Sequence, residues 1–136
     1  MYTLSAKALY GVTALVELAE NFRSGPIQIR DLAGRGGIPQ HYLEQILSVL
    51  KRSGIVRSHR GAHGGYELVQ HPDDVTLQAV LVELEGPLQV APGTNGDALR
   101  ELWEGLERHI ETYLSRSLGD VIRDRRAATA DADFMI

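Results

Sequence analysis

The stretch "RGAHGGYELV", residues 60–69, sets three glycines, one arginine and one histidine in its first six positions, then turns apolar. It follows "IVRS" at 55–58. Two short strand-like runs, "IVRS" and "GGYELV", with "HRGAHG" between them, read as a β-hairpin. Its tip needs positive φ, which glycine reaches without steric cost. Two other roles for such a run fit less well. A phosphate P-loop needs a strand before it, a helix after it and a GK[ST] ending, and none is present. A metal loop would use His59 and His63. Their i, i+4 spacing makes one face only in a helix, which glycine-rich sequence is not, and no cysteine completes a ligand set.

What precedes the hairpin is helical. "PQHYLEQILSVLKRSG", residues 39–54, spaces Tyr42, Leu43, Ile46, Leu47 and Leu50 on one face. Proline suits its first turn, Lys51 and Arg52 suit its last, and Gly54 stands just beyond. A helix over 5–20 has a broad apolar face from Leu9 to Ala19, with Ser5 placed to cap it. "RSGP" breaks it, and a short helical stretch around 28–34 leads to a glycine pair and Pro39. Two helices joined by a short glycine-bearing turn form either a helix-turn-helix or a plain helical hairpin. The β-hairpin that follows favours the first. The predicted fold class is mostly α with a small β-hairpin, a winged helix-turn-helix over 1–88.

Charge agrees with that placement. Residues 1–70 hold eight Lys and Arg against five Asp and Glu, a net of +3, and residues 71–136 hold six against thirteen, a net of −7. The run 51–63 carries four Lys/Arg, two His and no acid. Such a basic patch on an acidic chain is the electrostatic footprint of a nucleic-acid contact or else a solvated loop. With no cysteine in 136 residues, disulfides, thiolate metal sites and thiol nucleophiles are excluded. No signal-peptide pattern opens the chain, and its uncharged apolar stretch at 8–16 is too short to span a bilayer, so a cytoplasmic protein without a membrane partner is expected. No catalytic triad, dinucleotide fingerprint or apolar carboxylate pair is present, so no enzyme is expected.

From Ala98 on, Leu99, Leu102, Trp103, Leu106, Ile110, Tyr113 and Leu114 recur at three- and four-residue steps, opposite Glu101, Glu104, Glu107 and Glu111. The pattern predicts one amphipathic helix of twenty residues, about 30 Å long, packing on its own core or on a twin. Ser117 is placed to cap a last helix, "LGDVIRDRR". Residues 89–127 thus read as linker, long helix and short helix, and 128–136 as a disordered tail.

"LSAKALYGVTALVELA", "GPIQIRDLA", "IPQHYLEQILSVLKRSGIVRSHRGAHGGYELV" and "VTLQAVLVELEGPL" together resemble the Rrf-two family of bacterial winged-helix transcription regulators. The likeness is close over 1–88 and looser through the long helix. It implies a homodimer that binds a double-stranded DNA operator through the helix at 39–53 and the wing at 59–65, repressing or activating transcription. Glu44 of "YLEQ" would accept from cytosine, as a carboxylate can in the major groove. Arg60 takes the wing arginine's place, and an arginine there suits a narrow, A·T-rich minor groove. Pro39, Gln40, His41, Gln45, Lys51, Arg57, His59, Gly61, His63 and Gly64 complete the candidate surface, the histidines lying at DNA or in solvent. Ser5 and Lys7 touch phosphate or serve only the first helix. Leu99 to Leu114 would form the dimer seam. The family's iron–sulfur members hold a cluster on three cysteines before the long helix. Here "QVAPGTNGDALREL" offers no cysteine or histidine, so no cofactor and no metal is expected. The signal would be a small molecule or a protein partner. A winged-helix protein-interaction module with little DNA binding is the alternative.

Overall fold

The computed structural model describes residues 4–93 and 98–134. Helix α1 (Ala6–Glu20) starts at Ser5, whose Oγ accepts from the Ala8 amide at 3.1 Å. It buries Ala8, Gly11, Ala14, Leu15, Val16, Leu18 and Ala19. Helix α2 (Ile29–Gly36) stops where Gly37 turns left-handed. Helix α3 (Gln40–Arg52) buries Leu43, Ile46, Leu47 and Leu50, the i, i+3, i+4, i+7 set that a single apolar face requires. At its end the Gly54 amide donates to the Lys51 carbonyl and the Ile55 amide to that of Leu50. This pair of bonds is the Schellman closure, with Gly54 at φ 83°. Tyr10 of α1 meets Tyr42 of α3 edge to face, 5.6 Å between ring centroids.

Strands β1 (Val56–His59) and β2 (Gly65–Leu68) pair antiparallel, with Val56 opposite Leu68 and Arg57 opposite Glu67. Ile27 adds a short third edge, exchanging both backbone hydrogen bonds with Tyr66 at 2.9 and 2.8 Å. Gly65 lies at φ 135°, and a Cβ there would strike the Ile27 carbonyl, so this glycine serves the approach of the third edge as well as the turn.

A 3-10 turn at Pro72–Asp74 leads to α4 (Leu77–Glu85), which Thr76 caps. Helix α5 (Arg100–Tyr113) buries no residue. Helix α6 (Leu118–Phe134) returns to the core, placing Leu118 and Ile122 in the cluster built by α1 to α4. Ser117 caps it as expected: its Oγ accepts from the Asp120 amide while its own amide donates to the Asp120 carboxylate.

Two sequence expectations need correction. The helix expected to run for twenty residues from Ala98 is fourteen residues long, about 21 Å. It ends because the carbonyls of Leu114 and Arg116 turn aside to accept from the Gln78 and Leu77 amides at the start of α4. The tail expected to be disordered from 128 continues α6 to Phe134, in an alanine-rich stretch of high helix propensity. Residues 135 and 136 lie outside the described residues, as does Asp97.

Candidate nucleic-acid interface

Helix α3 buries its leucines and so turns Gln40, His41, Glu44, Gln45 and Ser48 to solvent. Pro39 stands at its N-cap without a side-chain hydrogen bond. Beside this face opens a groove of about 510 Å³, where Lys7 of α1 joins Glu44, Gln45, Ser48 and Arg52. The fold therefore brings Lys7 to the exposed helix. Ser5 differs: its hydroxyl is used as the α1 cap and its amide donates to the Glu85 carboxylate at 2.8 Å. Lys51 is exposed at the far end of α3, some 16 Å along the axis from Gln40.

The wing divides its residues into two groups. Arg60, Gly61 and His63 stand exposed at the tip. Gly64 is buried beneath it, with its amide on the Gly61 carbonyl, and a Cβ there would strike the His59 carbonyl. Gly64 therefore shapes the turn. Arg57 and His59 are engaged within the hairpin. Arg57 Nε donates to Glu67 Oε1 at 2.8 Å, and His59 Nε2 lies 2.6 Å from the same oxygen. These two bonds, that of Arg57 first, hold the Glu67 carboxyl below its ordinary range. The acid-free run at 51–63 thus acquires an acid across the sheet, one that counting the hairpin register from the strands would have found. Tyr66 packs partly buried against the core.

Ion pairing differs between the halves of the chain. Of the eight Lys and Arg in residues 1–70, Arg57 alone has an ion-pair partner among the described residues; in the second half Arg100, Arg123 and Arg126 all have one. Arg108, Arg116 and Arg125 of the second half have none among the described residues; of the seven unpaired cations of the first half, Lys7, Lys51, Arg52 and Arg60 lie on or beside α3 and the wing.

Sequence reading missed Gln28. Its Nε2 donates to the Ala62 carbonyl at 3.0 Å, tying the start of α2 to the wing tip. No local pattern signals a bond across thirty-four positions.

The α5 stripe splits lengthwise. Trp103, Ile110 and Leu114 turn partly inward, while Leu99, Leu102, Leu106 and Tyr113 are exposed, Leu102 at 58% and Tyr113 at 61%. An open apolar groove of about 670 Å³ is lined by Leu4, Leu88, Val90, Trp103, Leu106 and Ile110 among others, so Leu106 borders both the groove and the exposed row. Its linker wall is pinned to α5 by the Val90 amide, which donates to Glu107 at 2.8 Å.

Residues 4–124 match the family described as "Rrf2: Iron-dependent Transcriptional regulator". The chain is 39% identical over 121 residues to the HTH-type transcriptional regulator CymR of Bacillus subtilis (strain 168), covering 87% of this chain and 88% of that one. The solved structure of CymR, described as the global cysteine regulator of B. subtilis, superposes with a TM-score of 0.81 at 36% identity, covering 90% of this chain and 98% of that one. That of T. potens IscR superposes with a TM-score of 0.82 at 35% identity, covering 93% and 90%. The donor set does not fit an iron–sulfur cluster: the chain has no cysteine, and no group of three or more His, Asp or Glu converges among the described residues. No helix among the described residues is long and apolar enough to cross a membrane. Core, wing and relatives agree over nearly the whole chain, which belongs to the Rrf2 family of DNA-binding transcription regulators and is not an enzyme.

Proposed function

We propose that the protein binds a two-fold operator as a homodimer, with the exposed face of α3 in the major groove and Arg60 in the adjacent minor groove. The observation that carries this reading is the pairing pattern: the fold leaves Lys7, Arg52 and Arg60 open beside an exposed polar helix face, with the wing hydrogen-bonded onto the same body. Glu44, exposed at the centre of that face, suits a cytosine amino group; His41 and Gln45 flank it for base or phosphate. Gln40, Lys51 and His63 complete the contact surface, while Arg57, His59 and Glu67 stiffen the wing. The outer row of α5, Leu99, Leu102, Leu106 and Tyr113, forms the seam with a second copy. Two copies related by a two-fold axis would read half-sites about one helical turn apart.

With no thiolate for a cluster, the signal is a small molecule or protein bound near the linker and α5, where the apolar groove meets Leu88 and Val90. An effector there acts by preferring one spacing of the two α3 helices over another. The acidic charge of the second half is the feature on the side of the alternative, an interaction module with little DNA binding. Selection of bound duplexes from a random pool by the purified protein, followed by salt titration of the best sequence, separates the two. Recovery of a palindromic site whose affinity falls steeply with salt supports the regulator reading. Recovery of no sequence above background would defeat it.

A further inference from the structure

Two arginines are used neither by the fold nor by the contacts proposed above. Arg30 and Arg35 of α2 are exposed and have no ion-pair partner among the described residues. With Gln28, Asp31, Ala62 and His63 they line an open polar hollow of about 600 Å³ between α2 and the wing tip. The walls of the hollow are fixed to one another. Gln28 holds the Ala62 carbonyl, Ile27 and Tyr66 exchange backbone hydrogen bonds, and Gly65 lets those backbones meet. Asp31 is its one acid, so two guanidinium groups face one carboxylate.

We infer that this hollow is a third DNA contact, taking the sugar–phosphate backbone between the segment met by α3 and the groove entered by Arg60. The inference rests on the DNA-binding reading above. Position supports it, because α2 packs against α3 and its first residues are bonded to the wing tip. Chemistry supports it as well. A guanidinium presents a planar fork of donors that matches two phosphate oxygens, and a contact of this kind fixes register without reading sequence. The hollow also lacks the character of a seat for a free anion: none of its polar side chains is buried, so nothing encloses an ion on all sides. A polyanion lying along the surface needs no enclosure.

The test compares the double variant Arg30→Gln/Arg35→Gln with Arg125→Gln, which removes an exposed arginine of α6 that has no ion-pair partner among the described residues. Each is titrated with the selected operator duplex across a range of salt, after circular dichroism confirms the wild-type melting profile. The double variant should bind more weakly, and its slope of log affinity against log salt should flatten by about 0.9 for each phosphate no longer neutralised. The ranking of operator sequences should not change. Arg125→Gln should leave the slope as it is. A double variant with the wild-type slope overturns the inference while leaving the regulator reading intact. So does a changed ranking of sequences, which would make the arginines base readers. Saturable binding of inorganic phosphate to the free protein, abolished in the double variant with no change of slope, assigns the hollow to a free anion and also overturns it. Absence of salt-dependent binding by the wild-type protein to any duplex would instead overturn the DNA reading itself.

Discussion

Helices α3 and α5 are both amphipathic, and the chain treats them in opposite ways. Helix α3 sinks four large apolar side chains into the core and shows solvent a polar face. Helix α5 buries nothing and shows solvent leucines. The first is complete within one chain, and its open groups are donors, acceptors and nearby cations. The second leaves a row of large apolar side chains, Leu102, Leu106 and Tyr113, open beside its charged residues. Exposed hydrocarbon on a helix calls for another apolar surface. An exposed polar face with unpaired cations beside it calls for a polar, anionic one. The partners proposed for the two helices therefore differ in kind: a second copy for α5, nucleic acid for α3.

Two substitutions test this contrast most severely. Leu102→Glu puts a carboxylate in the centre of the exposed α5 row. Burying it in an apolar seam without a partner is strongly unfavourable, so the dimer should dissociate at micromolar concentration while the far-ultraviolet circular dichroism stays unchanged. Leu47→Ala should do the reverse. Leu47 is fully buried, and truncating it should cost about 2–5 kcal/mol of folding stability in urea titration without selectively affecting assembly. A wild-type protein that light scattering shows to be a monomer at the same concentration would break the comparison.

Next in size is Arg60→Ala. This side chain is exposed and has no ion-pair partner among the described residues, so folding should not change. Operator affinity should fall by about 1–3 kcal/mol, and the preference for A·T pairs under the wing should relax. Wild-type affinity in the folded variant would remove the wing from the interface and leave α3 to act alone.

The contrast also decides what could be read from sequence. Helices α1 and α3 were legible because their signals are local: an apolar period of 3.6, Ser5 at one cap, Gly54 past another. The hairpin was legible because its glycines meet a backbone need. The end of α5 was not, since its apolar period runs on to Leu114 while the backbone is turned aside by Leu77 and Gln78 far back in the chain. The polar surface was legible only in part. Sequence picked out Arg60 and the α3 face, which stand exposed, yet set Arg57 and His59 on the same candidate surface, where Glu67 holds both within the hairpin. It passed over Gln28, Arg30 and Arg35, because only folding brings α2 against the wing tip.

A pH titration sharpens the comparison from the side of α6, the helix that does return to the core. The Asp120 carboxyl is lowered to about 2, chiefly by the Ser117 amide and then by Arg123 and the Ser117 hydroxyl. A carboxyl lowered in the folded state stabilises it above the unfolded value, near 3.9, and that contribution disappears as pH falls toward 2. The α6 cap should therefore persist through mild acidification and be lost only as pH falls toward 2. Carbon-13 spectra of the side-chain carboxyls measure this. An Asp120 that titrates near 4 would mean the cap does not hold in solution.

The smallest expected effect concerns the bond between Gln28 and Ala62. It is a single neutral hydrogen bond at an exposed site, and such a bond contributes little to global stability. Its role is local. Residues 60–64 have no strand partner, and Gln28 is the one side chain outside the hairpin that hydrogen-bonds them among the described residues. Gln28→Glu keeps the shape, removes the donor and sets a carboxylate against the carbonyl. Amide exchange at Gly61, Ala62 and His63 should then quicken, with the melting temperature nearly unchanged. Operator affinity should fall by a few-fold through faster dissociation, because a mobile tip must be ordered again at each encounter. Gln28→Asn, shorter by one methylene, should not restore the bond. Unchanged exchange in Gln28→Glu would show that the Ile27–Tyr66 bridge and the tight backbone at Gly65 hold the wing without help, making its rigidity a property of the backbone alone.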